Sequence, residues 1–216
     1  MSPDIPTLSH GAVTIRSIRP RDARDLDYEL AVNRGWLRRW EATNPNGIIG
    51  HDSKAGIRSL LSYAKQGSGI PFAILHNGEF AGQLNVSGIS YGSLSTATIG
   101  YWVSERVAGQ NVTPTAVALA TDHCMFTLGL HRMEVCIRPE NVASLRVVEK
   151  LGFRYEGLRR RYIHIDGDWR DHFCFALTVE ELPRGVLGRW LDGRVPAGVG
   201  SVPEADRLLA QRPLRY

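Results

Sequence analysis

The segment Ala12–Ile18, AVTIRSI, alternates apolar and polar side chains, the period of a strand with one buried face. Pro20 and Asp22 then carry the signature of a helix start, a proline near the first position and an acidic group in the first turn. The helical stretch holds Leu26, Leu30, Trp36, Leu37 and Trp40 and runs to about Arg39, with Gly35 dividing it in two. A second helix is expected over residues 54–65. The middle of the chain reads as an antiparallel meander. Strands are predicted over Pro71–Leu75 and Phe80–Val86, joined at the Asn77-Gly78 pair of a tight hairpin turn. A third follows over Ser95–Val103, after a turn at Tyr91-Gly92.

Beyond Val103 the period of apolar positions becomes helical. Thr113 and Pro114 supply an N-cap and a first-position proline; Val117, Ala120, Cys124 and Leu128 continue the apolar face, and Gly129 closes the helix. Met133–Ile137 is short, apolar and partly β-branched, a strand. Asn141–Leu151 puts Val142, Leu145, Val148 and Leu151 on one helical face and ends at Gly152. Ile163–Ile165 and His172–Leu177 flank Asp166-Gly167-Asp168 as a hairpin. From Leu191 glycine and proline accumulate, with one short helical candidate at Glu204–Gln211. The organisation expected is one domain over residues 1–190 and a loose C-terminal tail over 191–216.

With 216 residues, 43% of them hydrophobic, the chain can bury one sizeable core. The net charge of +4 favours an anionic ligand but does not argue for direct nucleic-acid binding, and none is expected. Cys124, Cys136 and Cys174 fit neither a zinc pattern nor a disulfide framework, and the histidines show no paired-ligand spacing. No metal is expected, and the cysteines read as small buried apolar residues in a reducing cytosol. The first residues lack the apolar stretch of a secretory signal, and no apolar run approaches the roughly 18 residues of a membrane span. A cytoplasmic protein with no membrane partner is the expectation. At period two, Arg159 and Arg161 would share one strand face and Arg160 the other, first as solvated charge and next as contacts to a ligand phosphate or an acidic substrate.

Two strand-to-helix junctions carry chemistry. In Ile99–Ala116, IGYWVSERVAGQNVTPTA, a strand meets a short loop at Gly109 and then a helix. Such a loop can aim successive N–H groups at an anion, with Arg106 adding a cation; it is equally an ordinary connection. In Ile137–Phe153, IRPENVASLRVVEKLGF, Asn141 stands at a helix mouth and Ser144 in its first turn. Asn141 suits an N-cap, and the Ser144 hydroxyl is either a helix-start residue or a donor placed where negative charge is favoured.

Together the two stretches resemble the acetyl-CoA signature of the GNAT superfamily. Gly100-Tyr101-Trp102-Val103 matches its GYW-type strand, Gly109-Gln110-Asn111 its pyrophosphate loop, and Asn141-Val142-Ala143-Ser144 with Leu151-Gly152-Phe153 its last strand-to-helix unit. Asn33-Arg34, Trp36-Leu37, Trp40-Glu41, Glu156-Gly157 and Gly167-Asp168-Trp169-Arg170-Asp171 resemble the RimJ/RimL branch. The resemblance implies an α+β fold, a mixed, mostly antiparallel sheet flanked by helices. Strands around Gly100–Val103 and Val135–Arg138 would splay apart to hold pantetheine. Tyr101, Trp102 and Val103 would line the thioester; Arg106, Gly109, Gln110, Asn111, Val112 and Thr113 would hold the pyrophosphate. Asn141 would bond the cofactor amide, and Ser144 would face the sulfur. Asn111 replaces the usual second Gly or Ala of the loop, Thr115 the usual Glu after it, and Val148 the thiolate-protonating Tyr of some members, which leaves Ser144 as the candidate acid.

The implied reaction is acetyl transfer from acetyl-CoA to an amine. It requires a held thioester, a neutral amine, a stabilised oxyanion and a proton or hydrogen bond for the thiolate. A protein α-amine, with a pKa of ~7.7–8.0, is roughly a tenth neutral at pH 7, whereas a lysine near ~10.4 needs far more help. The resemblance implies a protein or peptide N-terminus as the acceptor, with a ribosomal protein as the branch archetype, and the lower α-amine pKa suits it. Glu41 is the candidate base, and Trp36 and Trp40 the candidate acceptor walls. A small amine as acceptor, or a CoA-binding module without catalysis, are the alternatives. A monomer or a homodimer fits equally.

Overall fold

The computed structural model describes residues 5–47 and 52–212. Its strands are β1 Leu8–His10, β2 Val13–Ser17, β3 Gly69–His76, β4 Glu79–Ser90, β5 Thr96–Val103, β6 Arg132–Ile137, β7 Arg154–Ile165 and β8 Asp168–Thr178. The helices are α1 Ala23–Val32, α2 Arg34–Leu37, α3 Ser53–Lys65, α4 Val112–Asp122, α5 Val142–Leu151, α6 Val186–Leu191 and α7 Glu204–Gln211. The strands form one eight-stranded sheet in the order β1-β2-β3-β4-β5-β6-β8-β7. Every neighbour is antiparallel except β5 and β6, as the α4 crossover between them requires.

Alternation along the strands divides the apolar side chains between two layers. On one face Ile15, Phe72, Ile74, Leu84, Ile99, Met133, Val135 and Phe175 pack with Val117, Ala120 and Val148 of α4 and α5. On the other a smaller cluster joins Ala73 and Phe80 to Leu26 of α1 and Ile57 of α3. Gly82 lets β4 press on β5, because a Cβ there would lie 2.2 Å from the Trp102 carbonyl oxygen.

Several details differ from the pattern reading. The first helical stretch breaks at Asn33, not Gly35. The Asn33 amide donates to the Glu29 carbonyl and carboxylate, and its Oδ1 accepts the Glu105 N–H, so the side chain fixes the corner. Helix α4 begins at Val112, with Asn111 at the cap position; Thr113 is already inside the helix and Pro114 third in it. The last hairpin is far longer than predicted, and β7 bulges between Arg159 and Ile163 with Arg161 at φ +46°. Arg159 turns to Glu134 and Arg160 to Asp171 as ion pairs, and the bulge takes Arg161 out of the regular strand alternation. Finally, the described part of the tail is docked rather than loose. Val202 is buried in the core, Tyr155 donates its hydroxyl to Asp206, and its N–H goes to the Val199 carbonyl. Residues 213–216 of the tail lie outside the described residues.

Candidate active site

Strands β5 and β6 pair only at Thr96 with Arg132, Ala97 with Met133 and Thr98 with Glu134. Past that point β5 stays on β4 as far as Val103, and β6 stays on β8 as far as Ile137. The two strands therefore diverge into a notch with free inner edges. An unpaired strand edge presents N–H and C=O groups that an extended, amide-bearing ligand can pair with. Along β5, Tyr101 and Val103 face the α4–α5 layer, whereas Trp102 packs tilted on Phe80 on the opposite layer. Trp102 therefore has only its backbone to offer the notch.

Helix α4 starts at the far end of β5. Gly109 (φ +77°) and Asn111 (φ +60°) are both left-handed, a conformation glycine adopts freely and asparagine tolerates. No side chain caps α4, so the N–H groups of Val112 and Thr113 have no partner within the helix or from a cap, and Pro114 has none to offer. Val112 is buried and anchors the turn, and Thr115 returns both its N–H and its hydroxyl to the Asn111 carbonyl. A Cβ built on Gly109 meets nothing within 4 Å, so the loop faces open space. Gln110 folds its side-chain amide back to the Arg106 carbonyl. The dihedrals, the free N–H groups and the room suit a diphosphate.

Arg106 is not the cation of this loop. Its guanidinium donates to the Phe80 carbonyl at 2.6 Å and to Glu29 at 3.2 Å, with Glu79 at 3.4 Å, and it lines a surface cleft beside α1. The buried Glu29 carboxylate already neutralises it. The cation at the loop is Lys150, in the last turn of α5, whose Nζ lies 2.7 Å from Asn111 Oδ1. Sequence reasoning missed Lys150 because the contact joins the end of one helix to the start of another. Only its place in the Glu149-Lys150-Leu151-Gly152-Phe153 run hinted at it.

At the start of α5, Asn141 Oδ1 accepts the Ser144 N–H at 3.1 Å, so Asn141 is an N-cap, with its amide nitrogen left over. Ser144 is half-buried and turned toward Tyr101 of β5. The Tyr101 hydroxyl is buried and makes no hydrogen bond of normal geometry. Burial pushes this phenol well above its ordinary pKa, against a smaller opposing effect of the Ser144 side chain, so it stays protonated. Val148 is fully buried in the core and leaves no place for a tyrosine there.

The open end of the notch is faced by the N-terminal helices. Arg138, just past β6, donates to the Arg39 carbonyl and stands 5.4 Å over the Trp40 ring, with Arg39 on the same ring at 4.6 Å. Trp40 is thus fixed beside the notch; Trp36 is half-buried and is not drawn into this cluster. Glu41 is held by Arg34 at 2.5 Å, and Glu140 by Arg138 at 3.1 Å. The chain after Glu41 docks on the β7–β8 turn through an Ala42–Ile165 bridge and a Thr43–His164 contact of 2.7 Å. His172 of β8 stacks edge-on to Tyr162, and burial lowers its imidazole pKa, so it is neutral at pH 7. Among the described residues no cluster of His, Cys, Asp or Glu could hold a metal ion, and no helix is long and apolar enough to cross a membrane.

Comparison with known proteins agrees with this geometry. The Acetyltransferase (GNAT) domain family matches residues 12–154. The [Ribosomal protein uS5]-alanine N-acetyltransferase of Escherichia coli (strain K12) is 29% identical over 183 residues, 82% of this chain and 93% of that protein. The solved structure of Mycobacterium smegmatis RimJ in complex with CoA-disulfide is similar at 35% identity and a TM-score of 0.79, covering 88% of this chain and 94% of that one. RimL in complex with coenzyme A, at 19% identity and a TM-score of 0.72, shares the fold. The chain belongs to the GNAT acetyltransferase family and is an N-acetyltransferase that uses acetyl-CoA as co-substrate.

Proposed function

We propose that the acceptor is the free α-amine at the N-terminus of a protein, of the ribosomal-protein kind named for the E. coli relative. The observation that carries this reading is the state of the carboxylates at the open end of the notch: Glu41 and Glu140 are both ion-paired, with Arg34 and Arg138. A site without a free carboxylate there suits an amine that is already partly neutral at pH 7. It suits a lysine, almost wholly protonated, far less. Glu41 would have to leave Arg34 to take a proton, and neutral His172 is a second group able to accept one.

Acetyl-CoA, when bound, supplies the acyl group as a thioester. The α4 loop, from Gly109 to Thr113, and Lys150 hold its diphosphate. The free edge of β5 pairs with its amides and turns an N–H toward the acyl oxygen, where charge develops. The Asn141 amide nitrogen adds one further hydrogen bond to it. Ser144 donates to the sulfur, with the buried, protonated Tyr101 phenol beside it. Trp40 forms the wall against which the acceptor chain lies.

The test is a peptide with a free N-terminus and one internal lysine, incubated with acetyl-CoA and the protein. Mass spectrometry is expected to find the acetyl group on the α-amine. Faster modification of the lysine, or of a polyamine offered in parallel, would overturn the proposal.

A further inference from the structure

Cys136 of β6 and Cys174 of β8 are directly opposed in the antiparallel register, with their sulfurs 3.0 Å apart. Opposed residues of an antiparallel pair have Cα atoms about 4.5–5.5 Å apart, within the ~4.4–6.8 Å that a disulfide spans, so closing a bond here needs no strand movement. Both thiols lie on the sheet face away from α4 and α5, opposite to the one on which their sequence neighbours Val135, Ile137, Phe173 and Phe175 enter the core. Cys174 is buried and Cys136 is half-exposed. An Arg159 guanidinium nitrogen stands 3.6 Å from the Cys136 sulfur.

The two sulfurs are not equivalent. The neighbouring Cys174 thiol as hydrogen-bond donor, then Arg159, hold the Cys136 thiol below its ordinary pKa, with burial opposing them. The Cys174 thiol is pushed up, by the same hydrogen bond and by burial. The arrangement is a half-exposed thiol biased toward its thiolate beside a cation, with a second thiol, pushed the other way, in contact. Those are the properties of an attacking cysteine and a resolving one. Cys124, by contrast, is fully buried and its thiol is pushed up to about 12.

We infer that Cys136 and Cys174 form an oxidisable dithiol whose reagent is a hydroperoxide, with Cys136 as the attacking sulfur. The Cys136 thiolate attacks the peroxide, an S–O bond forms, the O–O bond breaks, and the departing hydroxide takes a proton to become water. The sulfenic acid at Cys136 is then attacked by Cys174, which gives up its proton. The S–S bond forms, the S–O bond breaks, and a second water leaves. Two thiols are oxidised by two electrons and one peroxide is reduced to two waters. In a reducing compartment such a disulfide is transient, and small thiols reverse it.

The experiment treats the folded, reduced protein with stoichiometric hydrogen peroxide and reads intact mass and cross-linked peptides. The expected product has lost two hydrogen atoms, contains one Cys136–Cys174 peptide, and is restored by dithiothreitol. With dimedone present, Cys174→Ser is expected to be labelled at Cys136, and Cys136→Ser at least about 10-fold more slowly at any cysteine. Oxidation of Cys124 first, a cross-link between molecules only, or equal labelling of the two variants would overturn the assignment. Because Cys174 is buried, each variant's melting curve is recorded, and the cross-link in the unmodified protein decides the matter if Cys174→Ser does not fold.

Discussion

Helices α4 and α5 both leave the central strands at an asparagine, but the two residues are used in opposite ways. At α5 the Asn141 side chain turns back and accepts the Ser144 N–H, closing the helix end on itself. At α4 Asn111 takes a left-handed backbone, gives its side-chain oxygen to Lys150 and leaves the first-turn N–H groups uncapped. One start is filled by the protein and steadies a hydroxyl; the other is left open and backed by a cation. The same residue type therefore says little until the backbone conformation is known. The open start is suited to a charged group, and the capped one to precise placement of Ser144.

The largest expected effect breaks the open start. Gly109→Glu places a carboxylate in the loop and a Cβ on a left-handed residue. Acetyl-CoA affinity measured by calorimetry should fall at least about 100-fold, or ~2.7 kcal/mol. An unchanged affinity would move the diphosphate site elsewhere.

Next is the capped start. Ser144→Ala removes a donor used mainly as the sulfur departs, so kcat should fall about 10- to 1,000-fold with acetyl-CoA affinity nearly intact. A lower melting temperature with unchanged turnover for Ser144→Ala would return Ser144 to a helix-start role.

Much of this was legible in the residues. The strand and helix periods placed most of the strands and helices, and the resemblance carried by Gly100–Val103 and Asn141–Ser144 pointed to the two sides of the notch. What escaped depends on contacts between segments distant in sequence. Arg106 follows the GYW strand as a phosphate cation might, but Glu29, 77 residues away, claims it. Lys150 lies 39 residues from Asn111, and only the packing of α5 against the start of α4 brings the two together. The cysteines looked inert because 38 residues separate Cys136 from Cys174, and only strand register brings the two sulfurs together. The break at Asn33 was misplaced for the same reason: glycine signals local freedom, whereas Asn33 acts through a bond to Glu105.

Lys150→Gln tests whether the open start is backed by charge. Lys150 is exposed, so stability should barely change, while affinity for acetyl-CoA should drop about fivefold at low salt and less at high salt. An effect independent of salt would mean that Lys150 acts by packing rather than charge.

The finest discrimination uses one substitution at both asparagines. At Asn141, Asp keeps an oxygen in the position that accepts the Ser144 N–H, and its charge suits a helix N-terminus. Asn141→Asp should therefore melt within a few tenths of a kcal/mol of the parent, roughly the spread among good N-caps. At Asn111, Asp also tolerates the left-handed backbone, so the fold should again survive. The consequence there is electrostatic: a negative charge enters a loop that should receive phosphate, although Lys150 at 2.7 Å neutralises part of it. Asn111→Asp should weaken acetyl-CoA about three- to fivefold, or ~0.7–1 kcal/mol, with no change in melting. Melting curves and calorimetry on the two proteins read both effects. If Asn141→Asp loses stability, the cap is not what holds Ser144; if Asn111→Asp binds acetyl-CoA as tightly as the parent, the diphosphate does not sit at the uncapped turn of α4.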